Sequence, residues 1–162
     1  FFMEDFTETF NFEEIYQSSN NLDRFCEMSN YRKRKTGLPV NVWIDQAENY
    51  KDGGHAKRIK FQINKADKYQ NNSCPMLLDG TIPTDEFQKA KANKEFSISN
   101  SEINEVRNFV MNNSYALDKV ADQLIFEDEF DKVFIQGGKP ASNEEKNKLK
   151  AKVDAFMLNH DN

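Results

Sequence analysis

The stretch Leu38-Pro-Val-Asn-Val-Trp-Ile-Asp45 decides the fold. Its apolar residues Val42 and Ile44 are two positions apart, and Trp43 lies between them. Because successive side chains of a β-strand point to opposite faces, this period of two is typical of a strand with one buried face. The pattern therefore predicts a half-buried strand over about residues 39–46, with Trp43 on its polar face.

A second strand is predicted after the turn signal Asp52-Gly53-Gly54. The stretch Arg58-Ile-Lys-Phe-Gln-Ile-Asn64 alternates polar and apolar residues, which favours a strand over about 57–65 that pairs antiparallel with the first. Shorter apolar stretches at 75–78 and 96–98 are candidates for further strands. A small antiparallel sheet follows.

A helix is predicted to begin at Ser99, because Ser99 and Glu102 have the spacing of a capping box. Apolar residues then recur at helical spacing as far as about residue 126. Asn112-Asn113-Ser114 weakens the middle of this helix and could bend or split it, since short polar side chains compete for backbone hydrogen bonds. We expect one long helix over 99–126 that covers one face of the sheet.

A terminal helix over about 142–159 is predicted by a second capping box, Ser142 with Glu145, after the stop signal Gly137-Gly138. The predicted fold class is therefore α+β: a small antiparallel sheet packed against one long helix, with a C-terminal helix and an acidic, Phe-rich N-terminal arm. The predicted core consists of fifteen apolar residues: Val40, Val42, Ile44, Ile59, Phe61, Ile63, Leu77, Ile98, Ile103, Val106, Val110, Leu117, Val120, Leu124 and Phe130.

Charge is unevenly distributed along the chain. Residues 1–27, named the acidic arm here, carry seven acids and one base, whereas residues 29–70 carry ten bases and four acids. Met28-Ser29-Asn30 resembles a translation start, so the acidic arm is interpreted as an appendage. The expected organisation is the acidic arm at 1–27, an α+β core domain at 28–136, and a linker with the C-terminal helix at 137–162.

Several classes of function lack a motif. Two cysteines without a Cys-x-x-Cys spacing indicate a reducing cytoplasm and give no basis for a zinc site, and no apolar run is long enough to span a membrane. No catalytic triad, nucleotide-binding glycine pattern or cofactor motif is recognisable, so no catalytic residue, metal or cofactor is predicted. The carboxylates of 127–131 are interpreted as a solvated acidic face. His55 is favoured as a histidine in a hairpin turn over a general acid or base.

The candidate binding site is basic. If the two central strands pair, Trp43 shares the polar sheet face with Arg58 and Lys60, and cations beside an exposed ring are suited to single-stranded nucleic acid. The alternatives are a solvated sheet face, pairing of the basic segment with the acidic arm, or binding of an acidic partner protein. The predicted site residues are Tyr31, Arg32, Lys33, Arg34, Lys35, Trp43, His55, Lys57, Arg58 and Lys60.

A strand at Pro75-Met76 and a capped helix follow two basic stretches of the chain. These stretches are Tyr31-Arg-Lys-Arg-Lys-Thr-Gly-Leu-Pro39 and Gly54-His-Ala-Lys-Arg-Ile-Lys-Phe-Gln62. In this order, about residues 28–126 resemble small uncharacterised proteins of bacterial mobile elements. The resemblance implies an accessory protein of a phage or integrative element, and it carries no activity to transfer.

The expected function is a non-enzymatic binding protein that contacts nucleic acid or an acidic partner through the basic sheet face. The alternative is an acidic inhibitor or adaptor that binds a host or defence protein through the Phe-rich acidic arm and acidic helices. For the arm itself, a docking segment and an edge element packed on the core are both open. An enzyme that uses His55 has the least support.

Overall fold

The computed structural model of the protein describes residues 28–31, 33–45, 56–66, 72–93 and 95–160. The acidic arm lies outside these residues. The described strands are β1 (Met28–Tyr31), β2 (Val42–Asp45), β3 (Arg58–Gln62) and β4 (Ser73–Leu77). The described helices are α1 (Lys33–Thr36), α2 (Thr84–Ala92), α3 (Asn100–Asn112), α4 (Ser114–Ala121), α5 (Glu127–Phe130) and α6 (Asn143–His160). The fold is α+β.

The four strands form one antiparallel sheet in the order β1-β2-β3-β4. Ile44 is opposite Ile59, and Phe61 is opposite Cys74, so apolar side chains of neighbouring strands share one face. We call this the helix-covered face, because its residues belong to the same buried cluster as residues of α2, α3, α4, α5 and α6. The two strands predicted from period-two patterns are confirmed.

The opposite face of the sheet, named the second face here, carries the alternate residues. Trp43 is opposite Lys60, which in turn is opposite Pro75 on the edge strand β4. An edge position tolerates proline, because its missing N–H removes no bond from the centre of the ladder. Arg58 and Gln62 lie on either side of Lys60 along β3 and therefore share this face.

The long helix predicted over 99–126 is present as two helices, divided within the Asn112-Asn113-Ser114 stretch, and it ends before residue 126. It begins with the predicted capping box, in which the Ser99 hydroxyl accepts from the Glu102 amide at 3.1 Å. It is then divided into α3 and α4 at Asn113, and α4 ends at Ala121. The Asn113 side chain is fully buried. It hydrogen-bonds the backbone of Ile135 at the point where the helix is interrupted.

Three asparagines near the C-terminal end of α3 hold the segment before α6. Asn108 donates to the carbonyl of Gly138 at 2.9 Å, and Asn112 donates to the carbonyl of Lys139 at 2.7 Å. Asn113 accepts from the amide of Ile135 at 2.6 Å and donates to its carbonyl at 3.0 Å. Gly138 fits because a Cβ there would lie 2.5 Å from the Cβ of Glu105. These contacts fix residues 135–141 against α3.

The end of α4 explains one error in the predicted core. The amides of Gln123 and Leu124 donate to the carbonyls of Val120 and Lys119, both at 2.9 Å, and Gln123 has a φ of 60°. This is a Schellman motif, which ends a helix by a residue in the left-handed conformation. Leu124 is consequently 49% exposed, and Ile125 is buried in its place. Leu77, on the second face, is half-buried, and the other thirteen predicted core residues are buried.

The predicted terminal helix is confirmed as α6, and Leu149 and Val153 attach it to the buried cluster. Helix α2, which packs along β4, has no counterpart in the sequence analysis. Residues 96–98 form no strand, but the amides of Ser97 and Ile98 both donate to the carbonyl of Ile63. Within the described segments, every helix is too short or too polar to cross a bilayer.

Candidate functional site

Both aromatic residues of the predicted site are buried. Tyr31 is 4% exposed and packs edge-on against Phe130 and Phe134, with ring centroids 5.3 and 6.2 Å apart. Trp43 is 2% exposed. Base stacking requires an open ring face, so the prediction of an exposed Trp43 beside cations is wrong. The sequence analysis assumed that the second face is exposed to solvent, whereas Trp43 on that face is buried.

Helix α1 carries three exposed cations, one of which is paired within the chain. Lys33 and Arg34 are both exposed. The next residue, Lys35, is engaged within the chain: its Nζ lies 2.6 Å from Oδ2 of Asp131 and 5.7 Å from the centroid of the Tyr31 ring. All three consecutive cations of α1 are therefore exposed, and Lys35 is in addition paired with a carboxylate of the chain.

Several hydrogen bonds fix the backbone of α1. The Lys33 amide donates to Oδ1 of the buried Asn41 at 3.0 Å. At the other end, the Gly137 amide donates to the Thr36 carbonyl at 2.7 Å, and Gln136 donates from its side chain to the Lys35 carbonyl. These contacts tie α1 both to the sheet and to the segment held by the asparagines of α3.

The close approach of two glycines completes this attachment. Gly37 has a φ of 78° and Gly137 a φ of 89°, a region that favours glycine. A Cβ at Gly37 would lie 3.4 Å from the backbone of Gly137. The loop after α1 thus rests directly on the loop before α6, which leaves α1 little freedom of position.

Lys57 belongs to a different surface. Its ammonium lies 2.7 Å from Oδ1 of Asp118 and 2.7 Å from Oδ1 of Asp122, at the C-terminal half of α4. Partial burial acts to lower the pKa of Lys57, but the hydrogen bonds and charges of the two carboxylates outweigh it and raise the pKa. Lys57 is therefore held as a cation between two acids of its own chain.

Arg58 and Lys60 lie on the second face, because they alternate with the buried Ile59 and Phe61. Lys60 is directly opposite Trp43 in the sheet register. Consecutive residues 57 and 58 therefore direct their charges to opposite sides of the sheet. The side chains of Arg58 and Lys60 are both partly exposed.

Trp43, Arg58 and Lys60 share one sheet face as predicted, but Lys57 and Tyr31 of the predicted site do not belong to it. The cations are divided among α1, the contact with α4, and the second face, while Tyr31 belongs to the core. Arg32 and His55 lie outside the described residues. A run of charge along a chain does not become a patch where the chain turns or alternates between sheet faces.

The described part of the chain has a buried cysteine and no grouping of metal ligands. Cys74 is fully buried, and burial raises the pKa of its thiol to about 12, with the charge of Glu86 adding to the effect. A neutral, inaccessible thiol is not a nucleophile. Among the residues the structure describes, no three His, Cys, Asp or Glu side chains are grouped so that they could hold a metal ion.

The turn after α4 exposes two large apolar side chains that the sequence analysis assigned to the helix. Leu124 is 49% exposed, and Phe126 is 58% exposed. Asp128 on α5 is exposed close by in sequence, and the Phe126 amide donates to Oε1 of Glu129 at 2.9 Å. No glycine marks this turn, so a left-handed Gln123 gave no signal in the sequence.

Comparisons with protein-family models, curated proteins and solved structures found no match to this chain.

Proposed function

We propose that this protein is a non-enzymatic binding protein that contacts an acidic segment of a partner protein, with α1 as the accessible part of its basic surface. One observation carries the proposal: Lys33 and Arg34 are exposed side by side on a helix whose backbone is fixed at both ends. A fixed backbone lowers the entropy cost of binding, because only the two side chains must be ordered.

The chemistry of the partner is argued from the pairs that the chain already makes. Lys35 and Lys57 each bind carboxylates of the chain itself, at 2.6 and 2.7 Å. An external carboxylate offers Lys33 and Arg34 the same kind of contact. Nucleic acid is less favoured, because Tyr31 and Trp43 are buried and supply no stacking surface.

The biological setting is part of the proposal. The resemblance of about residues 28–126 to small proteins of bacterial mobile elements supports an accessory protein of a phage or integrative element that acts in the cytoplasm.

The test is a binding titration that compares charge reversal at α1 with charge reversal elsewhere. A fluorescently labelled poly-glutamate peptide and labelled single- and double-stranded DNA and RNA are titrated at low and moderate salt, followed by anisotropy. Lys33→Glu with Arg34→Glu should weaken binding of the peptide about tenfold, which corresponds to about 1.4 kcal/mol.

The matched control is Lys89→Glu with Lys152→Glu, which makes the same change in net charge at exposed positions of α2 and α6. The control should retain the affinity of the unchanged protein. An equal loss in both double variants means that only net charge matters, and it contradicts a site at α1. Preferential binding of the nucleic acids would assign the partner to that class instead.

A second candidate function is favoured by the exposed turn after α4. Leu124 and Phe126 are exposed apolar side chains, and the exposed Asp128 follows two positions further along the chain, a composition that suits a basic and apolar segment of another protein. This agrees with an acidic adaptor or inhibitor. Leu124→Ser with Phe126→Ser should abolish capture of a partner without loss of helicity, while the α1 variants still capture it.

A further inference from the structure

The third cation of α1 is already bound by an acid of the same chain. Nζ of Lys35 lies 2.6 Å from Oδ2 of Asp131, the residue that directly follows α5. The same ammonium lies 5.7 Å from the centroid of the Tyr31 ring. Lys33 and Arg34, which precede it on α1, are exposed. The proposed binding surface therefore contains one cation that has to exchange partners before it binds an external carboxylate.

The backbone is fixed on both sides of this ion pair. The Lys35 carbonyl accepts a hydrogen bond from the Gln136 side chain at 2.6 Å. Asp131 follows Phe130, which is fully buried and packs edge-on against Tyr31 with ring centroids 5.3 Å apart. Because the two charged groups are held close together by one folded chain, the local concentration of the Asp131 carboxylate around Lys35 is high.

The ion pair is nevertheless open to displacement. The side chains of Lys35 and Asp131 are 49% and 30% exposed. An ion pair in contact with water is only weakly stabilising, because both charges are hydrated when they separate and two flexible side chains must be held in one geometry. A ligand with several carboxylates can therefore take Lys35 from Asp131 while the backbone stays in place.

Asp131 opposes an acidic ligand in two ways. It occupies the Lys35 ammonium, and its negative charge next to α1 repels a ligand of the same sign. Both effects act at the surface where Lys33 and Arg34 are exposed. Removal of this single charge should therefore strengthen the binding of acidic ligands at α1.

We propose that Asp131 is an internal competitor that limits the affinity of α1 for acidic ligands by holding Lys35. The partner segment must then supply enough negative charge to bind Lys33 and Arg34 and also to replace Asp131 at Lys35. This inference rests on the proposed function, because it concerns the same surface. Its own readout is the effect of Asp131 on affinity, which the exposure of Lys33 and Arg34 does not determine.

The test measures binding of the labelled poly-glutamate peptide by fluorescence anisotropy at low salt. Asp131→Asn preserves the size of the side chain and removes its charge. It should tighten binding about threefold, the size expected for loss of a half-exposed ion pair. The matched control is Asp128→Asn, which removes one negative charge from an exposed position of α5 and leaves the pair of Lys35 with Asp131 in place. The control should gain clearly less affinity.

A double variant separates the release of Lys35 from the loss of a negative charge. In the background of Lys35→Gln, Asp131→Asn should raise the affinity no more than Asp128→Asn does, because no lysine is left to release. Equal gains from Asp131→Asn with and without Lys35 would overturn the proposal, and so would equal gains from Asp131→Asn and Asp128→Asn. Helical circular dichroism should be the same in all variants, since a half-exposed ion pair contributes little to stability.

Failure of the proposed function has a different signature. If Lys33→Glu with Arg34→Glu weakens binding while Asp131→Asn leaves it unchanged, α1 binds acidic ligands and only the competition by Asp131 is refuted. If neither the unchanged protein nor the Asp131→Asn variant binds the peptide, the proposed function and the competition are both refuted.

Discussion

Asn113 gives the sharpest stability prediction, because its side chain joins α3 to the segment that supports α1. Truncation by Asn113→Ala removes the partners of the amide and the carbonyl of Ile135, at 2.6 and 3.0 Å. The Phe109 carbonyl loses one donor but keeps the Asn113 amide at 3.1 Å. A buried polar group without a partner costs about 1–3 kcal/mol, and Ile135 is only partly buried, so the expected loss is about 3 kcal/mol.

The measurement is urea unfolding followed by Trp43 fluorescence and by helical circular dichroism. With a slope of about 2 kcal/mol per molar urea, the midpoint should fall by about 1.5 M. Asn108→Ala is the control, since it loses a single bond to the carbonyl of Gly138 and should cost about 1 kcal/mol. If Asn113→Ala costs no more than Asn108→Ala, water replaces the side chain and the reasoning from unsatisfied groups is refuted.

Three further changes test local features of the fold. Hydrogen bonding from Lys65, followed by the cap contacts, lowers the pKa of Glu102 below its usual value of 4.5. Glu102→Gln should therefore lower the free energy of unfolding by about 1 kcal/mol at neutral pH, measured by urea unfolding. This difference should vanish as the pH falls through the lowered pKa, because the carboxyl stabilises the fold only when it is ionised. Gly138→Ala should lower stability by about 1–3 kcal/mol, because its Cβ would overlap Glu105; unchanged thermal unfolding would contradict this close approach. Gln123→Gly should raise stability by up to about 1 kcal/mol by relieving the left-handed backbone, and a lower melting temperature would count against this.

Local signals in the sequence predicted those parts of the fold that depend on neighbouring residues. The period-two strands and the capping boxes at Ser99 and Ser142 are present, because alternation and cap geometry are set within a few positions. The stretch Asn112-Asn113-Ser114 indicated where the long helix could split, and the helix is divided there. The contact that holds Asn113 was not predictable in the same way, because Ile135 lies 22 positions further along the chain.

The candidate site was harder to predict, because exposure depends on what covers each face. Val42 and Ile44 identify a buried face correctly, but alternation does not reveal whether the other face meets solvent. One signal was present in the sequence of β4. Cys74, Pro75 and Met76 are consecutive apolar residues and all three are buried, whereas polar and apolar residues alternate in a strand with one solvated face. This run indicates a sheet that is covered on both sides, and Trp43 is buried accordingly.

The division of the cations has a measurable consequence for any binding to duplex DNA. The logarithm of the affinity for duplex DNA falls linearly with the logarithm of the salt concentration, with a slope of about −0.9 for each phosphate that is neutralised. If all seven lysines and arginines of the predicted site acted together, the slope would be about −6. If Lys33 and Arg34 act alone, because Lys35 pairs with Asp131, the expected slope is about −2. A measured slope near −6 would contradict the division of the basic surface, because residues 57 and 58 would then have to face one ligand from opposite sides of the sheet.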